Sequence, residues 1–140
     1  MKKAIKAIGV LVAAALFLSA SPIDYVSRLK NSEGIAYFTL DCARFVEVAH
    51  HAKHCSAAAM YTGCNGQATV VAEFATKSFD PSILRAGDVL DFHGARVVAF
   101  VGDGFMDSDP SHSGVARISL RSKSASDLWF AGPVRVIRFN

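Results

Sequence analysis

The feature that most constrains the fold is a change of hydrophobic pattern at Asp80-Pro81. Before this point apolar residues recur at helical spacing, whereas after it four short runs are rich in β-branched and aromatic residues. Turn residues separate these runs, which predicts strands over 89–92, 97–101, 115–120 and 134–139. Helices followed by an antiparallel meander predict an α+β domain whose helices pack on one face of a sheet.

Three helices are predicted in the first half of the chain. The first runs from Pro22 to about Asn31, where the amphipathic pattern ends. The second begins at Cys42, with Asp41 as its N-cap, and its apolar residues recur as far as position 52. The third is predicted over 67–77. This pattern places Cys42 in the first turn of a helix.

Residues 1–20 have the pattern of a secretory signal peptide. Three lysines lie in the first six residues, an apolar stretch follows from Ala7 to Leu18, and small residues precede the expected cleavage after Ala20. This stretch is shorter than the roughly 20 apolar residues that a transmembrane helix needs. We therefore expect one domain over 21–140, without a stable membrane anchor, in the periplasm or outside the cell.

The formal net charge of +3 belongs largely to the leader. Three of the 15 lysines and arginines lie there, so residues 21–140 contain 12 basic and 12 acidic side chains. A nearly neutral domain argues against nucleic acid and against an anionic lipid surface as partners. The chain also lacks a complete dinucleotide fingerprint and a phosphate loop with its lysine, and we expect no cofactor.

Three cysteines in an oxidising compartment leave one of them unpaired. Cys55 and Cys64 are separated by a segment of small residues that could form a short loop, so we expect a disulfide between them and a free thiol at Cys42. The alternative, three buried free cysteines, stays open. Because Cys42 opens a helix, the helix dipole and the unpaired N–H groups are expected to lower the pKa of its thiol.

Several segments resemble the NlpC-like, papain-like cell-wall cysteine peptidases. Asp41-Cys-Ala-Arg-Phe-Val46 resembles the Asp-Cys-Ser-Gly-Phe-Val start of the nucleophile helix in that family. Arg85-Ala-Gly-Asp-Val-Leu90 resembles the Gly-Asp-Leu strand entry, and residues 97–106 resemble the second strand and its glycine turn. Ser113-Gly-Val115 is similar to the start of the next strand. The resemblance implies a papain-like NlpC-type fold and hydrolysis of amide bonds in peptidoglycan stem peptides through an acyl-enzyme.

The chain departs from this family at the general base. The family has a histidine directly before the apolar run of the second strand, where this chain has Arg96, and arginine does not deprotonate in proteins. If Gly94-Ala95 is a two-residue hairpin loop, His93 and Arg96 lie opposite each other with Cβ atoms roughly 5 Å apart. We therefore predict His93 as the base, with His112 as a fallback. The alternative is a solvent-exposed His93 in an inactive domain.

Three further residues are candidates for the site. Asp107 matches the family's third catalytic position, which implies that it orients the imidazole, although Asp107 and Asp109 could equally cap the turn at 108–113. Arg96 is a candidate receptor for a substrate carboxylate, and the more common alternative is a surface ion pair with Asp91 or Asp103. Tyr37 is a candidate donor near the oxyanion, with buried packing as the alternative.

A cluster of His50, His51, His54 and Cys55 could in principle bind a metal, because His50 and His54 share a helix face. These residues fall at the polar end of the helix and no second cluster completes the ligand set, so we predict a solvated surface and no metal.

The sequence thus predicts a secreted or periplasmic cysteine peptidase or amidase that acts on peptidoglycan peptides, with Cys42, His93 and Asp107 as its catalytic residues. The alternative is a catalytically inactive NlpC-like domain that binds cell-wall fragments or a protein partner. No protein inhibitor is identified from the sequence.

Overall fold

A six-stranded antiparallel sheet is the centre of the computed structural model, which describes residues 22–74, 80–120 and 131–140. The strands are β1 (Ala68–Phe74), β2 (Val89–Phe92), β3 (Arg96–Phe100), β4 (Phe105–Asp109), β5 (Gly114–Ile118) and β6 (Val134–Phe139). In the sheet they are ordered β1-β6-β2-β3-β4-β5, and each neighbouring pair is antiparallel. The predicted α+β class is confirmed, while the predicted leader lies outside the described residues.

Within the described ranges three α-helices form a layer against this sheet: α1 (Pro22–Asn31), α2 (Cys42–His50) and α3 (Ala57–Tyr61). Helix α2 packs on β3 and β4, α3 packs on β2 and β6, and α1 packs on α2. One-turn 3₁₀ helices occur at Cys64–Gly66 and Pro110–His112, among others. None of the helices in the described part of the chain has the length and apolar character to cross a bilayer.

Asp41 caps α2, as the sequence predicts. Its Oδ1 accepts a hydrogen bond of 2.8 Å from the backbone N–H of Arg44, which satisfies one of the free donors of the first turn. The helix ends at His50, earlier than the apolar pattern indicates, because His51 adopts the left-handed conformation with φ 53°. Cys42 is therefore the first residue of a nine-residue helix.

Two predictions of local structure are wrong. Residues 68–74 of the predicted third helix form the edge strand β1, which pairs along its length with β6, and the adjacent β-branched Val70 and Val71 favour that conformation. Strand β4 is missing from the four predicted strands, and its last two residues fall in the predicted turn at 108–113. Pairing with β5 from Phe105 to Asp109 gives this segment its extended form.

Both faces of the sheet are buried, since alternate residues of its central strands belong to two different clusters. The helix-facing cluster contains Phe45, Val46, Ala49, Met60, Val89, Val97, Ala99, Met106 and Ile137. The cluster on the opposite face contains Leu84, Leu90, Phe92, Val98, Val134 and Val136.

Candidate functional site

The N-terminus of α2 approaches the sheet where β3 and β4 separate. These strands pair at Ala99–Met106 and Phe100–Phe105, and the ladder does not continue toward Arg96. Cys42 is partly buried at this opening. The backbone N–H of Val97 and the charge of Arg96 both act on its thiol. We call Cys42, Arg96, Val97, Asp107 and Asp109 the Cys42 site.

Cys55 and Cys64 form a disulfide, and Cys42 is the free cysteine. Both bonded residues are buried in the helix-facing cluster. This is the pairing that the spacing of the cysteines predicts.

The thiol of Cys42 is not activated in the way that its place in the helix predicts. Burial raises its pKa above the ordinary value of 9.0. The Val97 and Ala43 N–H groups and the Arg96 charge favour the thiolate, while the Asp41 carboxylate opposes it. The prediction of a lowered pKa for Cys42 is therefore wrong, because the loss of solvation outweighs the groups around the sulfur that favour the thiolate. Cys42 is a neutral thiol at neutral pH.

Arg96 is held by two aspartates on the neighbouring strand. Its Nη2 forms ion pairs with Asp107, which is 0% exposed, and with Asp109, which is 15% exposed. These carboxylates overcome the cost of burial and raise the pKa of the guanidinium. With two negative charges and one positive charge, the cluster has little attraction for a further carboxylate. An ion pair within the protein thus replaces the predicted role of Arg96 in substrate binding, and its partners are Asp107 and Asp109 where the sequence predicted Asp91 or Asp103.

The two aspartates differ from the predicted roles in separate ways. Asp107 binds a guanidinium where the resemblance implies that it would orient an imidazole. Asp109 caps the following turn, since its Oδ1 accepts a hydrogen bond of 2.7 Å from the Ser111 N–H, and its other oxygen binds Arg96. The turn-capping alternative is therefore confirmed for Asp109.

His93 does not lie where a base for Cys42 was predicted. The register pairs Phe92 with Arg96, so the hairpin loop is the three residues 93–95. His93 is exposed at the start of this loop with φ 59°, and its ring packs against Gly132, which precedes β6. Since β6 and β3 lie on opposite sides of β2, His93 and Arg96 diverge. The prediction that His93 faces Arg96 across a two-residue loop is wrong.

The histidines of the candidate metal cluster do not converge. His50 is stacked on Phe139 with ring centroids 4.3 Å apart and lies beside Tyr25, and burial lowers its pKa to about 4. His54 is exposed, with its Nδ1 3.6 Å from Glu47. Among the residues whose positions are described, no group of three or more histidine, cysteine or acidic side chains could hold a metal ion. The prediction of a solvated face is wrong for His50.

Tyr37 is half-buried in the turn before α2. No hydrogen bond of its hydroxyl is seen within the ranges that the structure covers, so a role near an oxyanion gains no support.

A contact that the sequence did not indicate lies nearby: the buried Ser108 hydroxyl donates to the Leu40 carbonyl. This bond joins the segment before α2 to β4, and the sequence did not indicate it because Ser108 was predicted to lie in a turn.

Comparison with protein-family models, with curated proteins and with solved structures gives no match for this chain.

Proposed function

We propose that this protein is a secreted or periplasmic domain of NlpC-like, papain-like type that binds peptides of peptidoglycan without cleaving them. The main support is the residue beside the thiol. Arg96 stands at the position that the family gives to its catalytic histidine, and Asp107, at the family's third position, binds it. The segments that resemble the family point to the class of ligand, and this pair points to the absence of hydrolysis.

The chemistry of acyl transfer explains why an arginine here favours binding. A thiol attacks an amide efficiently only after its proton has moved to a base, and the base must later protonate the leaving amine. The Arg96 guanidinium has no free lone pair to accept that proton, and its two carboxylates keep it charged. The raised pKa of Cys42 is consistent with a thiol that retains its proton.

The other described histidine rings support the same conclusion. His50 and His51 lie at and directly after the far end of α2, where His50 is roughly 12 Å from Cys42 at 1.5 Å per residue along the helix. His93 faces Gly132, and His54 faces Glu47. A site with a neutral thiol and backbone N–H groups can still bind a peptide through hydrogen bonds to its amides.

Co-sedimentation with purified peptidoglycan tests the proposal. We expect the wild-type protein to sediment with the polymer and Cys42→Ser to sediment equally, because binding needs no thiolate. Binding should persist in salt high enough to screen surface charge. A wild-type protein that stays in the supernatant under all these conditions would contradict the proposal.

A second candidate function is a cysteine peptidase or amidase that cleaves the same peptides through an acyl-enzyme on Cys42. The free thiol at the first residue of α2, with the Val97 N–H directed toward it, favours this candidate. Its base would have to come from a residue such as His112, whose backbone belongs to the 3₁₀ turn after Asp109 and whose side chain lies outside the description. Loss of peptidoglycan cleavage in both Cys42→Ala and His112→Ala, with cleavage by the wild type, would support it.

A further inference from the structure

A cavity of about 190 Å³ lies at the end of α2 that is farther from Cys42. His50, the last residue of α2, lines this cavity, whereas Cys42 is the first residue of the same helix. The cavity is therefore separate from the Cys42 site. We call it the His50 cavity; it is formed by Tyr25, His50, Arg85, Asp88, Arg138 and Phe139, together with positions 86 and 87.

Three rings form an aromatic wall of the His50 cavity. The His50 ring stacks on Phe139 with ring centroids 4.3 Å apart, and the Tyr25 ring lies 4.6 Å from it. Aromatic faces of this kind favour contact with a ring or a short hydrocarbon chain. An apolar cavity of roughly 150 Å³ is large enough for benzene, so the volume here is sufficient for a six-membered ring.

Asp88 is the one carboxylate among the described residues that line the His50 cavity, and the protein already satisfies it. It is 2% exposed and accepts hydrogen bonds from Arg138 Nε at 2.8 Å and from Arg138 Nη2 at 2.7 Å. Its Oδ2 also accepts the backbone N–H of Arg85 at 2.9 Å. With three donors on it, this carboxylate offers little to a cationic ligand.

The positive charge of the His50 cavity is less fully paired. The Arg85 side chain is exposed and, within the described residues, forms no ion pair or hydrogen bond. Two guanidinium groups and one carboxylate leave a net positive charge on the lining, and the free part of it is on Arg85. Arg28 Nε donates to the Ala49 carbonyl, which offsets the partial negative charge at this end of α2.

His50 adds a hydrogen-bonding group that the protein does not satisfy. Both ring nitrogens are buried, and neither has a hydrogen-bond partner in the part of the chain that the structure describes. Burial lowers the pKa of this ring to about 4; Arg28 and His51 act in the same direction, while the Gly87 carbonyl and Asp88 oppose it. The neutral ring has one N–H to donate, and leaving a buried donor unpaired costs free energy that a bound acceptor would recover.

We propose that the His50 cavity binds a small carboxylate that carries a ring or a short hydrocarbon chain. The ligand carboxylate pairs with the Arg85 guanidinium and accepts the N–H of His50, and the apolar part of the ligand lies against the aromatic wall. An ammonium ligand would be repelled by the charge of Arg85, and an uncharged ligand would lack the ion pair. The inference goes beyond the proposed function, since this cavity and Cys42 lie at opposite ends of α2.

Three small probes test the charge that the His50 cavity selects. We would titrate the full chain at pH 7 with benzoate, benzyl alcohol and benzylamine, which share a six-membered ring and differ in charge. In NMR spectra the amide shifts of Gly87 and Asp88 and the ring protons of His50 report occupancy of the cavity. We expect saturable shifts with benzoate at a Kd in the millimolar range, and none with the alcohol or the amine.

Two substitutions locate the binding. Arg85→Gln removes the charge of an exposed side chain and retains the backbone N–H that Asp88 accepts, and it should weaken benzoate binding about fivefold. His50→Phe retains a stacked ring and removes the N–H, and it should weaken binding about threefold. Arg117→Gln is the matched control, because it removes an exposed arginine outside the cavity, and it should leave the affinity unchanged.

Several results would overturn the proposal. They are the absence of saturable shifts with benzoate, equal shifts with benzylamine or benzyl alcohol, and equal affinities in Arg85→Gln and Arg117→Gln. Arg85→Gln alters an exposed side chain, so it decides the question even if His50→Phe does not fold. The titration contains no peptidoglycan, and its outcome is therefore independent of the co-sedimentation test.

Discussion

Arg96 and Asp107 form an ion pair in which the carboxylate is completely buried and the guanidinium is 23% exposed. The pair lies beside Cys42 and occupies two positions at which the resembling family has its base and its third catalytic residue. The same contact joins β3 to β4 at their opening, and under the proposed function it leaves Cys42 with an arginine where hydrolysis would need a proton acceptor.

The first prediction concerns the stability that depends on this pair. Arg96→Gln leaves the buried Asp107 without its cation, so we expect the free energy of unfolding to fall by about 3 kcal/mol in urea denaturation. Arg117→Gln is the matched control, because it breaks a pair with Asp103 whose partners are 43% and 62% exposed. The control should lose less than about 1 kcal/mol. Equal losses in the two variants would show that the Arg96 pair behaves as a surface contact.

The second prediction concerns the reactivity of Cys42. Since burial raises the pKa of its thiol, alkylation by iodoacetamide at pH 7 should be slower than that of an unstructured cysteine peptide. Arg96→His places an imidazole in reach of Asp107 at the family's base position. We expect alkylation at pH 7 to become at least about tenfold faster, which corresponds to a fall of one unit in the thiol pKa.

Arg96→Gln controls for the loss of the arginine in this experiment, since it removes the charge without supplying a base. It should not accelerate alkylation. A wild-type thiol that already reacts rapidly at pH 7, with no gain in Arg96→His, would refute the interpretation of Arg96.

The third prediction is a pH dependence of stability that arises from Asp91. This residue is 0% exposed, and burial raises its pKa from 3.8 to about 7; the Gly94 N–H donates to Oδ1 at 2.9 Å, which opposes the shift. Between these pH values the folded protein holds a proton that the unfolded chain releases. The free energy of unfolding should therefore fall as the pH rises from about 4 to about 7, by up to about 4 kcal/mol.

Asp91→Asn isolates this effect, because the amide oxygen can still accept from Gly94 and does not ionise. The variant should be more stable than the wild type at pH 8 and should show a flatter pH profile in thermal or urea denaturation. Parallel profiles for the two proteins would mean that Asp91 does not titrate in this range.

The fourth prediction concerns the disulfide. A bond between cysteines nine positions apart restricts the unfolded chain, which corresponds to about 2.7 kcal/mol in the loop-entropy relation. The double substitution Cys55→Ala and Cys64→Ala should lower the free energy of unfolding by roughly 2 to 4 kcal/mol, because buried sulfur contacts are also lost. Cys42→Ser should change it by much less, and a non-reducing peptide map that joins Cys42 to another cysteine would contradict the assigned pairing.

Local sequence signals predicted part of this fold well. Strands β2 and β6 have the predicted bounds, and α1 and the capped start of α2 were found, because periodicity and an N-cap are properties of neighbouring residues. Strand β1 depends on pairing with β6, which is distant in the chain, and a helical pattern over 67–77 competes with that pairing. Sequence periodicity cannot distinguish the two when the partner strand is unknown.

The candidate site was only partly predictable for the same reason. The place of Cys42 at the start of a helix and the pairing of Cys55 with Cys64 follow from patterns of neighbouring residues. The contacts of Arg96 depend on Asp107 and Asp109, which face it only because β4 is a strand. The place of His93 depends on a loop that is one residue longer than predicted, and in a hairpin such a change alters which side chains lie opposite each other.

The most direct test of the central claim is an analysis of peptidoglycan after incubation with the wild-type protein at pH 7. Mass spectrometry of the soluble and insoluble fractions would detect any new amino terminus in the stem peptides. We predict bound protein and no new amino termini, with the same result for Cys42→Ala. Peptide release by the wild type that disappears in Cys42→Ala would contradict the account, because it would show that Cys42 acts as a nucleophile despite the arginine beside it.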